Sequence, residues 1–507
     1  MHVNTGSSGA PARVVAVVGS GASGILTTIQ LIEQAGDVDI KGRLRIQVFD
    51  RDGDLARGPA YGTLHDCHIL NMRASTMSMY ADRPEHFCDW MNVQFREDGG
   101  AVSGDAYVPR SRYGRYLREQ LLNAVEGAQR QGVEVEFVTA EVTDCLPGSG
   151  KALVQCGDVM YPCDAAVLCS GDIAGNRFPQ LTDTPGYISS AWQYEAIAGI
   201  HQSRSVAVIG SSLTAVDVLV MLDALGHRGE IHCVSRLRSL PKVQGPPSPW
   251  ELQYVTRERV EKLTEHGTRQ AALAEIAALY RQEVELATGT AVDWAAVLGS
   301  AHRPVADTLP EDIREAAEGR NRWYAALDAT GHLAPYLWNR MDDSSKDVFL
   351  ARYASLWAMY RHSMPLPNAE KIWRMVREGQ LHAHTGFRSV TRASGRSHTL
   401  TYVADGREHE ITADYVVNAT GASPDITELD DPLISNLLHA GRLRPHRHGG
   451  IDVDFATGQV IGLDGTASMP MYFVGPLTRG VHFYTHSVET LRTNAAATAR
   501  ALLRDLD

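Results

Sequence analysis

Residues Val17–Gly24 read VVGSGASG, and this stretch decides the fold because an apolar run enters a glycine-rich turn there. A second stretch, Val208–Ala215, reads VIGSSLTA after a similar apolar run. A matching segment follows each of them downstream: Asp164–Gly171 (DAAVLCSG) after the first and Asp414–Gly421 (DYVVNATG) after the second. A hairpin with Gly-Asp or Asp-Gly turn chemistry precedes each of these segments. The pattern is an internal repeat of a nucleotide-binding unit.

The first unit has the strand–turn–helix–strand order that a dinucleotide site needs. We expect a helix from Ala22 to Ala35 and a strand from Leu44 to Asp50. The glycines of the turn permit close approach of a phosphate, and the N terminus of the helix offers free N–H groups to it. Asp50 ends the strand, where an acid binds ribose hydroxyls.

The second unit departs from the first in two ways. Ala215 replaces the third glycine and Ser212 the middle one, which is a looser match. After its second strand, Glu230–Val234, no acid follows; Ser235, Arg236 and Arg238 stand there instead. Basic groups at this place suit a 2′-phosphate, so the pattern favours NADPH over NADH. The alternative is that these arginines belong to a solvated loop. Together the two units predict an α/β protein with two Rossmann-like dinucleotide-binding domains.

Composition narrows the class of protein. The chain has 507 residues, of which 44% are hydrophobic, so two or three domains are expected. A net charge of −12 without a basic run argues against nucleic acid as a partner. No apolar run approaches the roughly 20 residues of a membrane span, and the polar start lacks a signal-peptide pattern, so we expect a cytoplasmic protein without a membrane partner. Seven scattered cysteines without a C-x-x-C pair argue against a dithiol flavoenzyme, and no zinc-type spacing predicts a metal site.

A helical region interrupts the second unit. Residues 245–380 contain six of the eight tryptophans, with apolar residues at helical spacing, and we expect these aromatic side chains to form a core. A strand beginning at Met471 and a helix from Ser487 to Leu503 close the chain. The predicted organisation is a first domain in two parts, 1–200 and 422–507, a second domain in two parts, 201–244 and 381–421, and a helical insertion at 245–380.

This layout resembles the two-dinucleotide flavoproteins, in which an NADPH domain interrupts an FAD domain. More narrowly, it resembles a family of FAD/NAD(P)-binding proteins through five motifs: Gly58–Gly62 (GPAYG), Ile69–Met72 (ILNM), Val108–Gly114 (VPRSRYG), Tyr360–His362 (YRH) and Gly475–Gly480 (GPLTRG). Asp414–Gly421 also resembles a signature of flavin N-hydroxylases, from which it departs at Asn418 and Ala422. Ser190 stands where Baeyer–Villiger enzymes have a histidine near a tryptophan, which weakens that alternative.

The resemblance implies which residues hold each cofactor. For FAD they are Gly19, Ser20, Gly21, Ala22, Ser23, Gly24, Asp50, Arg51, Tyr61, Asn71, Met72, Arg110, Val142, Gly171 and Gly475. For NADPH they are Gly210, Ser211, Ser212, Leu213, Thr214, Ser235, Arg236, Arg238 and Thr420. Arg110 and Arg112 are placed either at FAD or at a domain interface. The helix from Ser487 is expected to face the flavin with its positive end.

The same resemblance implies an FAD- and NADPH-dependent monooxygenase that N-oxygenates a small amino acid through a C4a-(hydro)peroxyflavin. Its members of known chemistry convert L-aspartate to nitrosuccinate in natural-product biosynthesis. Two substrate carboxylates need cationic donors, and the candidates are Arg479, His482, Tyr484, His486, Arg361 and His362. Each has a plainer alternative: a loop or FAD-phosphate contact for Arg479, surface positions for His482 and His486, and a structural ion pair for Arg361.

Three rival functions stay open. One is an FAD/NAD(P)H oxidoreductase that acts without oxygen insertion. Another is a flavoprotein with a binding or sensor role, in which the helical insertion is an interaction surface. The third uses both nucleotide-type folds for binding alone. A homo-oligomer is compatible with each of them.

Overall fold

A computed structural model of the protein describes residues 12–36, 44–56, 58–95, 102–148, 151–173, 175, 177–237, 240–393, 395, 397–467 and 469–506. Arg238, predicted at the NADPH site, lies outside these residues. The described strands are β1 (Arg13–Val18), β2 (Leu44–Asp50), β3 (Val133–Thr139), β4 (Asp144–Pro147), β5 (Ala152–Cys156), β6 (Val159–Cys163), β7 (Ala165–Leu168), β8 (Tyr187–Ile188), β9 (Val206–Ile209), β10 (Ile231–Ser235), β11 (Leu381–Thr385), β12 (Phe387–Arg392), β13 (His398–Ala404), β14 (Arg407–Ala413), β15 (Tyr415–Asn418) and β16 (Met471–Phe473).

The described helices connect and cover these strands. They are α1 (Ala22–Ala35), α2 (His86–Gln94), α3 (Arg110–Ala128), α4 (Tyr194–Ala198), α5 (Leu213–Ala224), α6 (Arg257–Leu263), α7 (Leu273–Thr288), α8 (Trp294–Gly299), α9 (Val305–Ala317), α10 (Trp323–Ala329), α11 (Ala334–Arg340), α12 (Asp343–Val348), α13 (Ala354–Arg361), α14 (Leu366–Arg377), α15 (Pro432–His439), α16 (Arg479–His482) and α17 (Val488–Leu506). A π-helical turn, Phe349–Tyr353, joins α12 to α13. Within the described residues, no helix combines the length and the apolar character that crossing a membrane requires.

The first sheet is parallel and has the strand order β16-β7-β1-β2-β3. Alternate residues of β1 point to its two faces, as the two-residue period of a strand requires. Val15 and Val17 pack with α1, α3 and α17, whereas Ala16 and Val18 pack with the antiparallel layer β4–β6 and with α15. Both faces are therefore covered, which explains why β1 is apolar throughout.

The second sheet repeats this plan with the order β11-β10-β9-β15-β8. Helices α5 and α14 cover one face, and the antiparallel layer β12–β14 covers the other. Strand β8 pairs with β15 although it lies before residue 201. The sheet of the second domain thus begins before the boundary that the sequence indicates, because the short strand β8 carries little sequence signal.

The repeat extends to matching ion pairs at the start of each sheet. The Asp164 carboxylate accepts a hydrogen bond from the backbone N–H of Val14 at 2.7 Å and lies 3.5 Å from Arg13. In the second domain, Asp414 accepts from the backbone N–H of Ser205 at 3.1 Å and lies 3.5 Å from Arg204. Asp164, which directly precedes β7, thus joins β7 to the start of β1. Asp414, which directly precedes β15, joins β15 to the start of β9 in the same way. The predicted fold class is confirmed, and these ion pairs extend the repeat beyond what the sequence predicts.

Helices α6 to α13 form the helical insertion between β10 and α14. It has a small core of its own around Val255, Val260, Ile276 and Leu337. Helix α14 then returns to the second domain, where it packs on α5. The insertion also contacts the last part of the first domain, because Trp338 Nε1 donates a hydrogen bond to the carbonyl of Gly480 at 2.7 Å.

Candidate functional site

The turn between β1 and α1 leaves no room for side chains at two of its glycines. A Cβ on Gly24 would lie 1.8 Å from the carbonyl oxygen of Gly19, and a Cβ on Gly19 would lie 2.8 Å from that of Cys169. Gly19 also has φ +107°, in the region that favours glycine. At these two positions the turn therefore presents only backbone, packed closely at the N terminus of α1. Such a surface fits a pyrophosphate, which needs close approach to free N–H groups.

The acid that ends β2 is held beside this turn. The Asp50 carboxylate accepts a hydrogen bond from the Ser20 hydroxyl and from the backbone N–H groups of Asp52 and Asp54 at 3.0 and 3.2 Å. These bonds fix the carboxylate at the edge of the turn, where a ribose would lie if phosphate binds at Gly19–Gly24. The neighbouring Arg51 is exposed and lies 3.8 Å from Glu141.

The remaining residues predicted for FAD do not lie together. Gly475 lies at the same edge as the turn, since a Cβ on it would lie 3.1 Å from the Ser170 carbonyl and 3.5 Å from Ser23 Oγ. Tyr61 packs on Tyr113 with ring centroids 4.8 Å apart. The others are Met72 at the margin of the first core, Val142 in the core of the opposite face, exposed Gly171 at the end of β7, and Asn71, whose carbonyl accepts from Gln244 Nε2 at 2.7 Å.

The turn of the second domain is similarly closed to a side chain at Gly210. A Cβ on Gly210, which has φ +126°, would lie 2.4 Å from the carbonyl oxygen of Ala419. Ser212 precedes the first residue of α5, Leu213. Ser211 and Ser235 are buried, whereas Arg236 at the end of β10 is exposed. This cradle suits a second dinucleotide, with Arg236 at the position where a 2′-phosphate would meet a cation.

One narrow crevice brings segments of the two domains together. Asp172 and Gly175, which follow the closing segment of the first unit, line it together with Thr214, Asn418, Gly421 and Ala422 of the second. Asn418 organises this wall, because its Oδ1 accepts from the Thr420 hydroxyl at 2.8 Å and its Nδ2 donates to the Ser189 carbonyl at 3.0 Å. The crevice is small, with a volume of about 10 Å³, and it marks where the segments that follow the two closing strands meet.

Arg110 joins the two domains instead of standing open to a ligand. Its guanidinium forms two contacts with Asp217 of α5, at 2.8 and 3.1 Å, and both side chains are about 10% exposed. Its Nε donates to the Ile69 carbonyl at 3.1 Å. Burial raises the pKa of the Asp217 carboxyl, and the Arg110 guanidinium opposes that increase. Of the two placements open for Arg110, this geometry favours the domain interface.

Three of the six predicted substrate residues lie together. Arg361 is buried, lies 3.3 Å from Asp328 and stands 4.9 Å above the ring of Tyr484. The ring of His362 stacks on the ring of Tyr484, with centroids 5.6 Å apart. The buried Arg361 Nε has no hydrogen-bond partner within the described part of the chain. Burial acts to lower the pKa of Arg361, but Tyr484 and Asp328 outweigh it and raise the pKa above its usual value. The group is thus a fixed cation.

The other three lie apart from this set. Burial lowers the pKa of Arg479; Asp172 opposes this decrease and Arg177 adds to it. His486 is exposed, with Nε2 3.7 Å from Asp172. His482 is buried, and its ring nitrogens lie 3.1 Å from Thr478 Oγ1 and 3.0 Å from the Phe455 carbonyl. Burial lowers the pKa of His482, which suits a neutral ring that holds the turn in shape.

Sequence reasoning missed several residues of this region. Gln244 joins the first domain to the insertion, because it donates to the carbonyls of Asn71 and Ser363, both at 2.7 Å, and accepts from the Tyr107 hydroxyl at 2.6 Å. Asp328 and Asp217 are the acids that accompany the predicted Arg361 and Arg110. No local motif marks these residues, and only the fold brings them to their partners.

Comparison with known proteins is consistent with this geometry. Residues 16–173 match a family model described as FAD-NAD(P)-binding. An uncharacterized protein of Mycobacterium tuberculosis is 22% identical over 547 aligned positions, which cover 98% of this chain and 95% of that protein. A nitrosuccinic acid synthase of Aspergillus oryzae is 27% identical over 190 positions, 35% of this chain and 29% of that protein.

Among solved structures, the chain is similar to an ornithine N-hydroxylase of Kutzneria sp. 744 with reduced FAD, NADP+ and L-ornithine. The TM-score is 0.57 and the identity 14%, over 98% of this chain and all of that one. At this identity the likeness establishes a shared fold: two nucleotide-type domains with an inserted helical region.

Proposed function

We propose that the protein is an FAD- and NADPH-dependent monooxygenase that hydroxylates the amine of a small amino acid. The observation that carries the proposal is the pair of glycine turns, in which Gly19, Gly24 and Gly210 leave no room for a Cβ, each at the start of a helix in its own parallel-sheet domain. A protein that binds two dinucleotides in adjoining domains is suited to electron transfer between them. The match of residues 16–173 to an FAD-NAD(P)-binding family supports the choice of cofactors.

The two turns would bind different cofactors. Gly19–Gly24 and Asp50 would hold the phosphates and the ribose of FAD, and Gly475 leaves space where the last strand meets the turn. Gly210–Thr214 and Thr420 would hold NADPH, with Arg236 at the 2′-phosphate. When bound, FAD supplies the redox chemistry, accepting a hydride from NADPH and reducing O2. The chain itself would bind and orient the cofactors and exclude water from them.

The fold shared with the ornithine N-hydroxylase favours an amine as the oxygen acceptor. Aspartate is the more specific proposal. The partial match to a nitrosuccinic acid synthase supports it, as does the buried cation Arg361, which can receive a carboxylate. Asp328 balances the charge of Arg361 when no substrate is bound. Burial raises the pKa of Tyr484, so its hydroxyl remains a hydrogen-bond donor at neutral pH.

The direct test is aerobic NADPH oxidation with added FAD and a panel of amino acids, with product masses read in parallel. We expect L-aspartate to accelerate NADPH oxidation and to gain oxygen on nitrogen. Acceleration by another amine, with oxygen gained, would keep the monooxygenase proposal and remove aspartate. Hydrogen peroxide as the sole oxygen product with every amine would favour the oxidoreductase without oxygen insertion.

A variant pair tests the role of Arg361. Arg361→Met should raise KM for the substrate by about tenfold to a hundredfold, because a buried charge-assisted contact contributes about 1.5–3 kcal/mol. Arg322→Met, an exposed arginine of the same insertion, is the control. Equal KM values for the two variants would remove Arg361 from the substrate site.

A further inference from the structure

The helical insertion contains a large open groove with apolar walls. Its volume is about 790 Å³, and its lining comes mainly from α7, α8, α10, α11 and the π-helical turn with α13. Four of the tryptophans expected in a core, Trp294, Trp323, Trp338 and Trp357, line this groove instead. Trp338 is nevertheless buried, as expected of a core residue, whereas Trp294, Trp323 and Trp357 are half-buried, because helical spacing marks an apolar face without revealing whether another element covers it.

The rim of the groove exposes large apolar side chains. Leu298, Val348 and Tyr353 are 50%, 42% and 36% exposed, and all three line the groove. A concave apolar space of this size is in the range of small-molecule sites, about 300–1,000 Å³. The rim and the walls together favour a ligand with a hydrocarbon or aromatic body.

Four charged residues line the groove: Lys242, Arg281, Asp312 and Glu315. Arg281 stands 5.4 Å from the ring of Trp294, and the other three form a group of two acids and one cation. Lys242 and Asp312 form an ion pair at 2.8 Å, with side chains 13% and 15% exposed. Glu315, one turn along α9, raises the pKa of Asp312 through its own charge, although burial is the larger cause. No described residue forms an ion pair or side-chain hydrogen bond with Glu315. Aromatic rings of Trp323 and Tyr360 stand beside this group, 5.1 Å apart. An acid without a partner near aromatic faces suits a cation.

A layer of aromatic rings separates the groove from the Arg361 set. Phe483 stacks on Trp338 with centroids 4.7 Å apart and contacts Trp357 at 5.0 Å, and these three rings form the inner wall. The next residue, Tyr484, is the one that Arg361 and His362 contact. Phe483 has φ +53°, which is unusual for a bulky residue, so the surrounding rings hold it in place. Trp357 also contacts Tyr484 and His362, at 5.9 and 5.3 Å, so the groove and the Arg361 set lie on the two sides of this one layer of rings.

We propose that this groove is a second ligand site, for an amphipathic ammonium compound with a hydrocarbon body. The hydrocarbon lies against the tryptophan walls, and the protonated amine lies at Glu315 beside the Lys242–Asp312 pair. This site is distinct from the two nucleotide turns and does not depend on the function proposed above.

The test is calorimetric titration of the purified holoprotein with alkylammonium ions of four, six, eight and ten carbons. Each added CH2 should tighten binding about threefold to fourfold, as expected for burial of hydrocarbon. Decylammonium should bind about fivefold more tightly than decanol and more tightly still than decanoate. A flat chain-length series would overturn the site, and equal binding of decanol and decylammonium would overturn the role of the acid.

Two matched pairs of variants locate the ligand. Ala277→Trp fills the groove from α7 and should weaken decylammonium binding at least tenfold, whereas Ala278→Trp, on the exposed side of the same helix, should leave it unchanged. Glu315→Gln should abolish the preference for the cation, and Glu311→Gln, exposed on the same helix α9, should keep it. Undiminished binding in Ala277→Trp would place the ligand elsewhere and overturn the proposal. Circular dichroism of each variant shows whether it is folded.

An occupant of another kind would give a different pattern. If the groove receives a second copy of the chain, Ala277→Trp would shift the oligomeric state in sedimentation, and the alkylammonium ions would bind without chain-length dependence. That combination would overturn the small-molecule site.

Discussion

At the scale of single residues, the buried ion pair Arg110–Asp217 predicts how substitutions change the free energy of unfolding. Removing one partner leaves an uncompensated buried charge, which typically lowers the free energy of unfolding by about 3–5 kcal/mol. We expect Arg110→Met to have an effect of this size in urea unfolding, and the double variant Arg110→Met/Asp217→Leu to recover much of it. Arg118→Met, an exposed position on the same helix α3, is the control. An Arg110→Met variant as stable as Arg118→Met would contradict this account.

A histidine cluster on the second sheet predicts a pH dependence of stability. His232, His382 and His384 lie on β10 and β11, with His232 Nδ1 3.4 Å from His384 Nε2 and Glu230 3.2 Å from His382. Burial, with the neighbouring histidines, lowers the pKa of His384 to about 4. Burial also lowers the pKa of His232, which Glu230 opposes.

The sign follows from these lowered values. The unfolded chain binds a proton at His384 below about pH 6.5, whereas the folded protein does so only near pH 4, so stability falls as the pH falls through this window. The full loss is roughly 1–3 kcal/mol for a partly buried group. We expect the urea midpoint to decrease less between pH 7.5 and 5.0 in His384→Asn than in the unsubstituted protein. Equal decreases would show that His384 does not contribute.

At the scale of elements, substitutions in the two glycine turns should affect the two cofactors separately. Gly24→Ala places a Cβ 1.8 Å from the Gly19 carbonyl, so α1 must move away from β1, and we expect the protein to be purified without flavin absorbance at 450 nm. Gly210→Ala should retain flavin and lose reduction by NADPH, because its own turn is disturbed. Gly127→Ala on α3 meets no atom within 4 Å and should retain both, with a stability gain of about 0.5–1 kcal/mol. Retained flavin in Gly24→Ala would contradict the assignment of the first turn.

The helices and strands also show how much of the fold can be predicted from the sequence. Helix α1 and strand β2 have the predicted bounds, Ala22–Ala35 and Leu44–Asp50, because steric limits in the turn and the two-residue period are local properties. Helix α17 begins one residue after the predicted start at Ser487. The groove could not be predicted, since its walls come from five separate helices. Arg361 ends helix α13 of the insertion, and its partner Asp328 and its contact with Tyr484 arise from tertiary packing alone.

At the scale of the whole molecule, a few polar contacts hold three units together. Arg110–Asp217 joins the two nucleotide-type domains, and Gln244 joins the insertion to the first domain at Asn71. On the far side, Arg447 lies 2.7 Å from Asp347 of α12, and Trp338 donates to Gly480. Each unit has its own hydrophobic core, so these contacts decide whether the units unfold together.

Loss of the Trp338 side chain should let the helical insertion unfold separately from the two nucleotide-type domains. Its ring is 3% exposed and packs on Phe483, so Trp338→Ala removes a large buried side chain, which typically lowers stability by about 3–5 kcal/mol. We expect Trp338→Ala to show an early thermal transition in tryptophan fluorescence, since most tryptophans lie in the insertion, followed by the main transition in circular dichroism. Trp338→Phe keeps an aromatic ring and loses the donor to Gly480, so it should lose about 1–3 kcal/mol without a separate transition. Coincident transitions in Trp338→Ala would mean that the insertion and the two domains unfold as one unit, and that the remaining contacts at Arg447 and Gln244 are sufficient to couple them.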